Sequence, residues 1–164
     1  MKRALASLLA AAALLAGCAT PFGAWDIAPG TPREQVIARA GQPVRVLALA
    51  GGGQRLQYTL QPLGHYAWMV DLDAAGKVVS ARQVLTAENF YRIEPGKWTR
   101  ADVEREFGPP AWIDGVASWN GPVMTYRWRE INEPMFFWIY LDARGVVQRA
   151  HPGMEFVNAP NDRD

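Results

Sequence analysis

The sequence predicts an α+β fold: two tandem helix-plus-antiparallel-sheet repeats, with the helices packed on one face of the sheet. Three observations carry the expectation. A stretch of chain recurs, each copy opens on a short helix closed by glycine and proline, and each continues into strands joined by a turn built on aspartate and glycine. Helices followed by runs of strands point to antiparallel sheets that bury one face.

The recurrence is read from "IAPGTPREQVIARAGQP" (27–43) and "IEPGKWTRADVEREFGPP" (93–110). Both run Ile-x-Pro-Gly, a threonine, a helix with Val36 or Val103 inside, then Gly-x-Pro. The match continues through Tyr58 and Tyr126 and through "VDLDAAGKVV" (70–79) and "IYLDARGVVQ" (139–148). In the first copy Thr31 is the expected N-cap, Pro32 the first-turn proline, Glu34 the capping-box acid and Gly41 the stop. Leu56, Tyr58 and Leu60 alternate as a half-buried strand does. Tyr66, Trp68, Val70 and Leu72 line one face of the next, and 78–85 returns. Residues 85–93 read as an additional helix. In the second copy Thr99 caps, Asp102 completes the box, Trp98 staples toward Val103, and Gly108 with Pro109-Pro110 ends the helix. Met124, Tyr126 and Trp128 alternate with Thr125, Arg127 and Arg129. Trp112 and Trp119 flank an expected hairpin at Asn120-Gly121.

The amino terminus carries a different message. Lys2 and Arg3, an apolar segment over 4–15 and the small pair Ala16-Gly17 have the layout of a secretory signal. Leu15-Ala16-Gly17-Cys18 resembles the bacterial lipobox, whose cysteine is acylated and becomes the first residue; the alternative is a signal followed by a coincidental cysteine. Cys18 is the single cysteine of the chain, with no intramolecular partner in an oxidising compartment. Two or three acyl chains anchor firmly where one binds marginally, at about 0.8 kcal/mol per buried methylene. Ala19 stands where lipoproteins of this kind held at the inner membrane usually carry Asp, which implies the periplasmic face of a Gram-negative outer membrane. The expected division is therefore 1–17 signal peptide, 18–28 lipidated cysteine and short tether, 29–85 first repeat, 86–151 second repeat and 152–164 polar tail. Removing Lys2 and Arg3 leaves 15 of the 17 basic residues against 16 acids, a net charge near −1. That balance argues against nucleic acid.

The glycine-threonine opening, the helix with a central valine, the Gly-x-Pro stop, the aromatic strands and the Asp-x-x-Gly turn, behind a lipobox, resemble the SmpA/OmlA (BamE-like) family of outer-membrane lipoproteins. The tandem layout is similar to that of the β-lactamase inhibitory proteins. The barrel-assembly member has one such domain and this chain has two copies, a departure that touches the partner more than the fold. The resemblance implies a non-enzymatic scaffold that binds envelope proteins, in outer-membrane β-barrel assembly or envelope integrity. The alternative is a periplasmic protein inhibitor or small-ligand-binding module.

Motifs for chemistry are weak. His65 and His151 show no metal or triad spacing. "DLDAAG" (71–76) lacks the acids of a calcium loop, so it reads as a hairpin turn. "AGGGQ" (50–54) has no Lys-Ser/Thr after it and reads as a turn between strands. No metal, cofactor or catalytic residue is expected. The sharper signal is a stripe. Opposite the core side of its strand, the first copy has Ala67, Met69 and Asp71, whereas the second has Phe136, Trp138 and Tyr140. Arg127 and Arg129 share the outward parity on the neighbouring strand. Tryptophan, tyrosine and arginine anchor protein interfaces, making these five the candidate protein-binding residues. The competing reading is a central strand buried on both faces or at the junction of the repeats.

Overall fold

The computed structural model describes residues 26–155; the expected signal peptide, Cys18 and the rest of the tether before Asp26 lie outside the described residues, as does the chain after Glu155. The first helix, α1 (Arg33–Ala40), buries Val36 and Ala40, one turn apart, and stops at Gly41, whose φ of 79° suits glycine. Its N-cap is Pro32 without a side-chain cap, a correction to the Thr31–Glu34 box. Pro32 is still extended, bridged to Lys77, and the Thr31 hydroxyl is spent on the Ala28 carbonyl at 2.7 Å.

Strands β1 (Arg45–Ala48), β2 (Gln54–Thr59), β3 (Ala67–Leu72) and β4 (Val78–Gln83) form sheet 1 in that order, all antiparallel. A short 3-10 turn over Ala50–Gly52 joins β1 to β2. Then come α2 (Ala87–Phe90), capped by Thr86, and α3 (Arg100–Phe107), where Thr99 and Asp102 make the expected capping box. Trp98 stacks on Phe107, centroids 6.2 Å apart. Strands β5 (Trp112–Asp114), β6 (Val123–Glu130), β7 (Glu133–Leu141) and β8 (Val147–Met154) form sheet 2 in that order.

The two copies of the pattern make matching local bonds. Tyr58 donates its hydroxyl to the Gly41 carbonyl at 3.1 Å, and Tyr126 to the Gly108 carbonyl at 2.7 Å. Asp73 Oδ1 accepts the amides of Ala75 and Lys77, and Asp142 Oδ1 those of Arg144 and Val146, all at 2.9 Å. These are side-chain turns of the kind Asp favours, and they close the β3–β4 and β7–β8 hairpins.

The expected fold class, α+β with helices packed on one face of the sheet in two helix-plus-sheet repeats, is overturned. The chain is mostly β: two four-stranded antiparallel sheets with helices of eight, four and eight residues. Glycines 41 and 108 hold both longer helices to about two turns, too short to stand alone. Nor do the helices share one side. Val36 and Ala40 of α1 pack with Leu56, Tyr58, Val70 and Leu72 in one core. Val103 and Phe107 of α3 pack with Tyr126, Phe137 and Ile139 of sheet 2 but also with Ala67 and Met69, from the opposite face of sheet 1. The layers therefore run α1, sheet 1, α3 with α2, sheet 2.

Polar groups fix α3 on sheet 1. Gln57 Nε2 donates to the carbonyls of Glu104 and Arg105 at 2.9 and 3.0 Å. Arg55 grips both carboxylate oxygens of Asp71 and reaches the Arg105 carbonyl and Glu106. These bonds explain why Arg55 and Gln57 are buried, at 6% and 0% exposure. Two further departures concern loops. Residues 115–122 form a long β5–β6 connection rather than a tight hairpin at Asn120-Gly121. Strand β8 runs through Pro152 to Met154, into the expected polar tail; as an edge strand it tolerates proline.

Because α3 serves both sheets, Phe107→Ala is expected to cost about 3–5 kcal/mol and to destabilise both sheets together. Urea unfolding followed by far-ultraviolet circular dichroism and by tryptophan fluorescence should give one coincident transition; two separated transitions in the wild type would show independent units.

Candidate functional site

Sheet 1 is covered on both sides, whereas the side of sheet 2 away from α3 has no described element over it. Its composition follows from strand parity. Register sets Trp112, Thr125, Trp138 and His151 in one row across β5 to β8. Val123, Tyr140 and Arg149 form the row on one side, and Arg127, Phe136 and Gly153 the row on the other.

The rings of this face lean on one another. Trp112 meets Phe136 edge-on at 5.5 Å, Phe136 tilts against Trp138 at 5.7 Å, and Trp138 against His151 at 5.3 Å. His151 stacks on Tyr140 at 5.4 Å, and Trp119 from the β5–β6 loop closes the row edge-on to Tyr140 at 5.4 Å. The Trp119 indole donates to the Leu141 carbonyl at 2.8 Å, which fixes the loop on the strand. Arg149 lies over Tyr140, 4.8 Å from the ring centre, as a cation–π contact. Trp138 fits this closely because residue 153 is glycine: a β-carbon there would come within 2.2 Å of its ring.

The expected binding residues fare differently. Phe136, Trp138 and Tyr140 lie side by side and half-buried, each partly shielded by its neighbours. They are neither at the junction of the two sheets nor fully open. Arg127 turns from the rings to Glu155, with Nε 2.9 Å from Oε1, and to the Pro62 carbonyl at 2.8 Å. Arg129 folds back on the Asn132 carbonyl at 3.0 Å. The cation beside the rings is thus Arg149, which sequence reasoning did not select. Trp112, His151 and Gly153 were missed with it as parts of the face, although extending the alternation to β5 and β8 finds all four. Cys18 lies outside the described residues. At the β6–β7 tip, Ile131 is 92% exposed with φ of 56°, an unusual backbone for a β-branched residue that no motif announces.

A second cluster clasps the two halves beside this face. Glu155 accepts from Arg127 and lies 2.9 Å from His65 Nε2. Gln61 donates to the Arg127 carbonyl at 2.7 Å and accepts the Arg127 amide at 3.0 Å. Burial acts to raise the Glu155 pKa, but hydrogen bonds from Arg127 and His65 outweigh it and hold the carboxyl below its ordinary value. The cluster has no nucleophile with a base beside it, and its chemistry is that of a clasp. Among the described residues no group of three or more His, Cys, Asp or Glu is placed to hold a metal ion. No helix among them is long and apolar enough to cross a membrane.

No family model matches the chain, and no curated protein matches it. A crystal structure of a DUF4309 family protein (YjgB) from Bacillus subtilis subsp. subtilis str. 168 aligns with 76% of this chain and 79% of its own. The sequence identity is 12% and the TM-score 0.33, too loose a likeness to bear on function.

Two expectations follow. A carboxyl with a lowered folded pKa stabilises above its unfolded pKa of about 4, and that stability is lost as pH falls through the folded value. Glu155→Gln should therefore cost about 1–3 kcal/mol at pH 7 and flatten the acid limb of a melting-temperature profile below about pH 5; an unchanged limb would remove the clasp. Gly153→Ala should force the Trp138 ring aside at about 1–3 kcal/mol, visible as an altered near-ultraviolet circular dichroism spectrum with the far-ultraviolet spectrum kept.

Proposed function

We propose that this chain is a non-enzymatic lipoprotein of the SmpA/OmlA (BamE-like) kind, held by acylated Cys18 at the periplasmic side of a Gram-negative outer membrane, where it binds or scaffolds envelope proteins. The observation that carries the reading is the uncovered aromatic face of sheet 2. The corresponding face of sheet 1 is roofed by α3, so this architecture uses that side of a sheet to hold a helix. Rings backed by a rigid sheet, with arginine at hand, have the make-up of protein-binding hot spots. The lipobox supports the anchor, and the short stretch from Cys18 to Asp26 reaches at most about 30 Å when extended, so the folded part begins close to the lipid.

The test is crosslinking and affinity capture of the full-length lipoprotein from solubilised outer membranes, with Trp112→Ala and Trp138→Ala beside it. Trp112 is 39% exposed, so its truncation should leave the fold intact. The expected result is recovery of barrel-assembly components or a barrel protein, reduced in both variants, and lost from the envelope when Cys18→Ala removes the anchor. Recovery of no envelope protein from correctly lipidated material would overturn the scaffold.

A further inference from the structure

The α3–sheet 1 contact is an internal template for what sheet 2 receives. Matching Gly41 to Gly108, Tyr58 to Tyr126 and Asp73 to Asp142 gives each position of one face its counterpart on the other. On sheet 1 the helix arrives by its C-terminal turn. Glu104 pairs with Arg45 at 2.5 Å, and Glu106 pairs with Arg55 at 2.9 Å and approaches Arg82 at 3.8 Å. The Gln57 amide takes the carbonyls of the turn.

The counterparts on sheet 2 change the chemistry in a specific way. Arg45 becomes Trp112, so the helix position of Glu104 meets an exposed indole and calls for an apolar side chain. Arg55 and Arg82 become Val123 and His151, and Ser80 becomes Arg149. The position of Glu106 then meets His151 and Arg149, which lie 2.8 Å apart, and an acid fits there. Gln57 becomes Thr125, whose buried hydroxyl oxygen has no hydrogen-bond partner among the described residues. At 1% exposure it lies below the ring surface, so a docked turn is held by its side chains and not by this hydroxyl.

A second copy of the chain fits less well. Its α1 carries Ile37 at the position of Glu104, a good match to Trp112, but Arg39 at the position of Glu106, which sets a cation against Arg149. We infer that the aromatic face of sheet 2 docks a helix of another protein by its C-terminal turn, with an apolar residue over Trp112 and an acidic residue two positions later against Arg149 and His151. This rests on reading the face as a protein-docking surface, and it names the shape and charge of the partner.

The probe is a fluorescent, helix-stapled peptide with the sequence of residues 97–109 carrying Glu104→Leu, titrated against the full-length lipoprotein in nanodiscs by anisotropy. Saturable binding is expected. It should weaken by about tenfold or more with Trp112→Ala protein or when the peptide also carries Glu106→Arg, and Arg149→Glu protein should restore the Glu106→Arg peptide. No saturable binding, or binding indifferent to Trp112 and to both charge changes, overturns the inference. So does concentration-dependent self-association, read by sedimentation, that Ile37→Asp abolishes, since the occupant is then a second copy. If the peptide fails while capture from membranes still depends on Trp112, the docking face stands and the helix does not. If both fail, the face itself falls.

Discussion

Everything in the molecule leans on one short helix held between two sheets. An eight-residue helix has too few internal bonds to persist in water, so α3 exists because both of its sides are used. Val103 and Phe107 enter the core of sheet 2, and its last carbonyls and glutamates are taken up by Gln57, Arg55 and Arg45 of sheet 1. The second contact divides into an apolar patch, Ala67 and Met69, and these polar bonds. That division lets a helix with a single apolar side be buried on two, because the arginines and the amide meet charges and carbonyls that would otherwise lie unpaired.

Much of the local structure was written in the sequence, since local signals act over a few residues. Thr99 with Asp102, the stops at Gly41 and Gly108, the paired aspartate turns and the strand alternation are all decided by neighbours in the chain. The order of layers was not, because it depends on which side of sheet 1 receives α3. Ala67 and Met69 are small or flexible residues that do not declare a buried junction, and Arg55 and Gln57 read as solvent-facing until their partners are known. Short-range reasoning also erred where a second bond competed, as at Thr31, whose hydroxyl serves the preceding turn instead of the helix. The proportion of helix was overestimated for a related reason: threonine caps and glycine stops mark helix ends clearly but say nothing of the weight of the strands between them.

The candidate face was legible as a stripe and illegible as a surface. Phe136, Trp138 and Tyr140 were visible as a departure of one copy from the other. The way the rings support each other depends on β5, β8 and the loop carrying Trp119, which come from distant parts of the chain. Edge-on and tilted contacts shield part of each ring from water while leaving part available. Arg149 over Tyr140 and the histidine stacked beside it add polar groups at the margin, so the face is tolerable in water and still apolar enough to gain from cover.

Strand β5 starts only at Trp112, opposite Thr125, leaving the flank of β6 beyond Thr125 without a strand beside it. An open strand flank is a template on which other chains can pair and aggregate, a hazard that rises with local concentration. The side-chain amide of Gln61 fills this flank by taking the amide and the carbonyl of Arg127 at once, as a neighbouring strand would. A single glutamine from the other half of the chain thus satisfies the backbone of β6 where β5 no longer runs beside it.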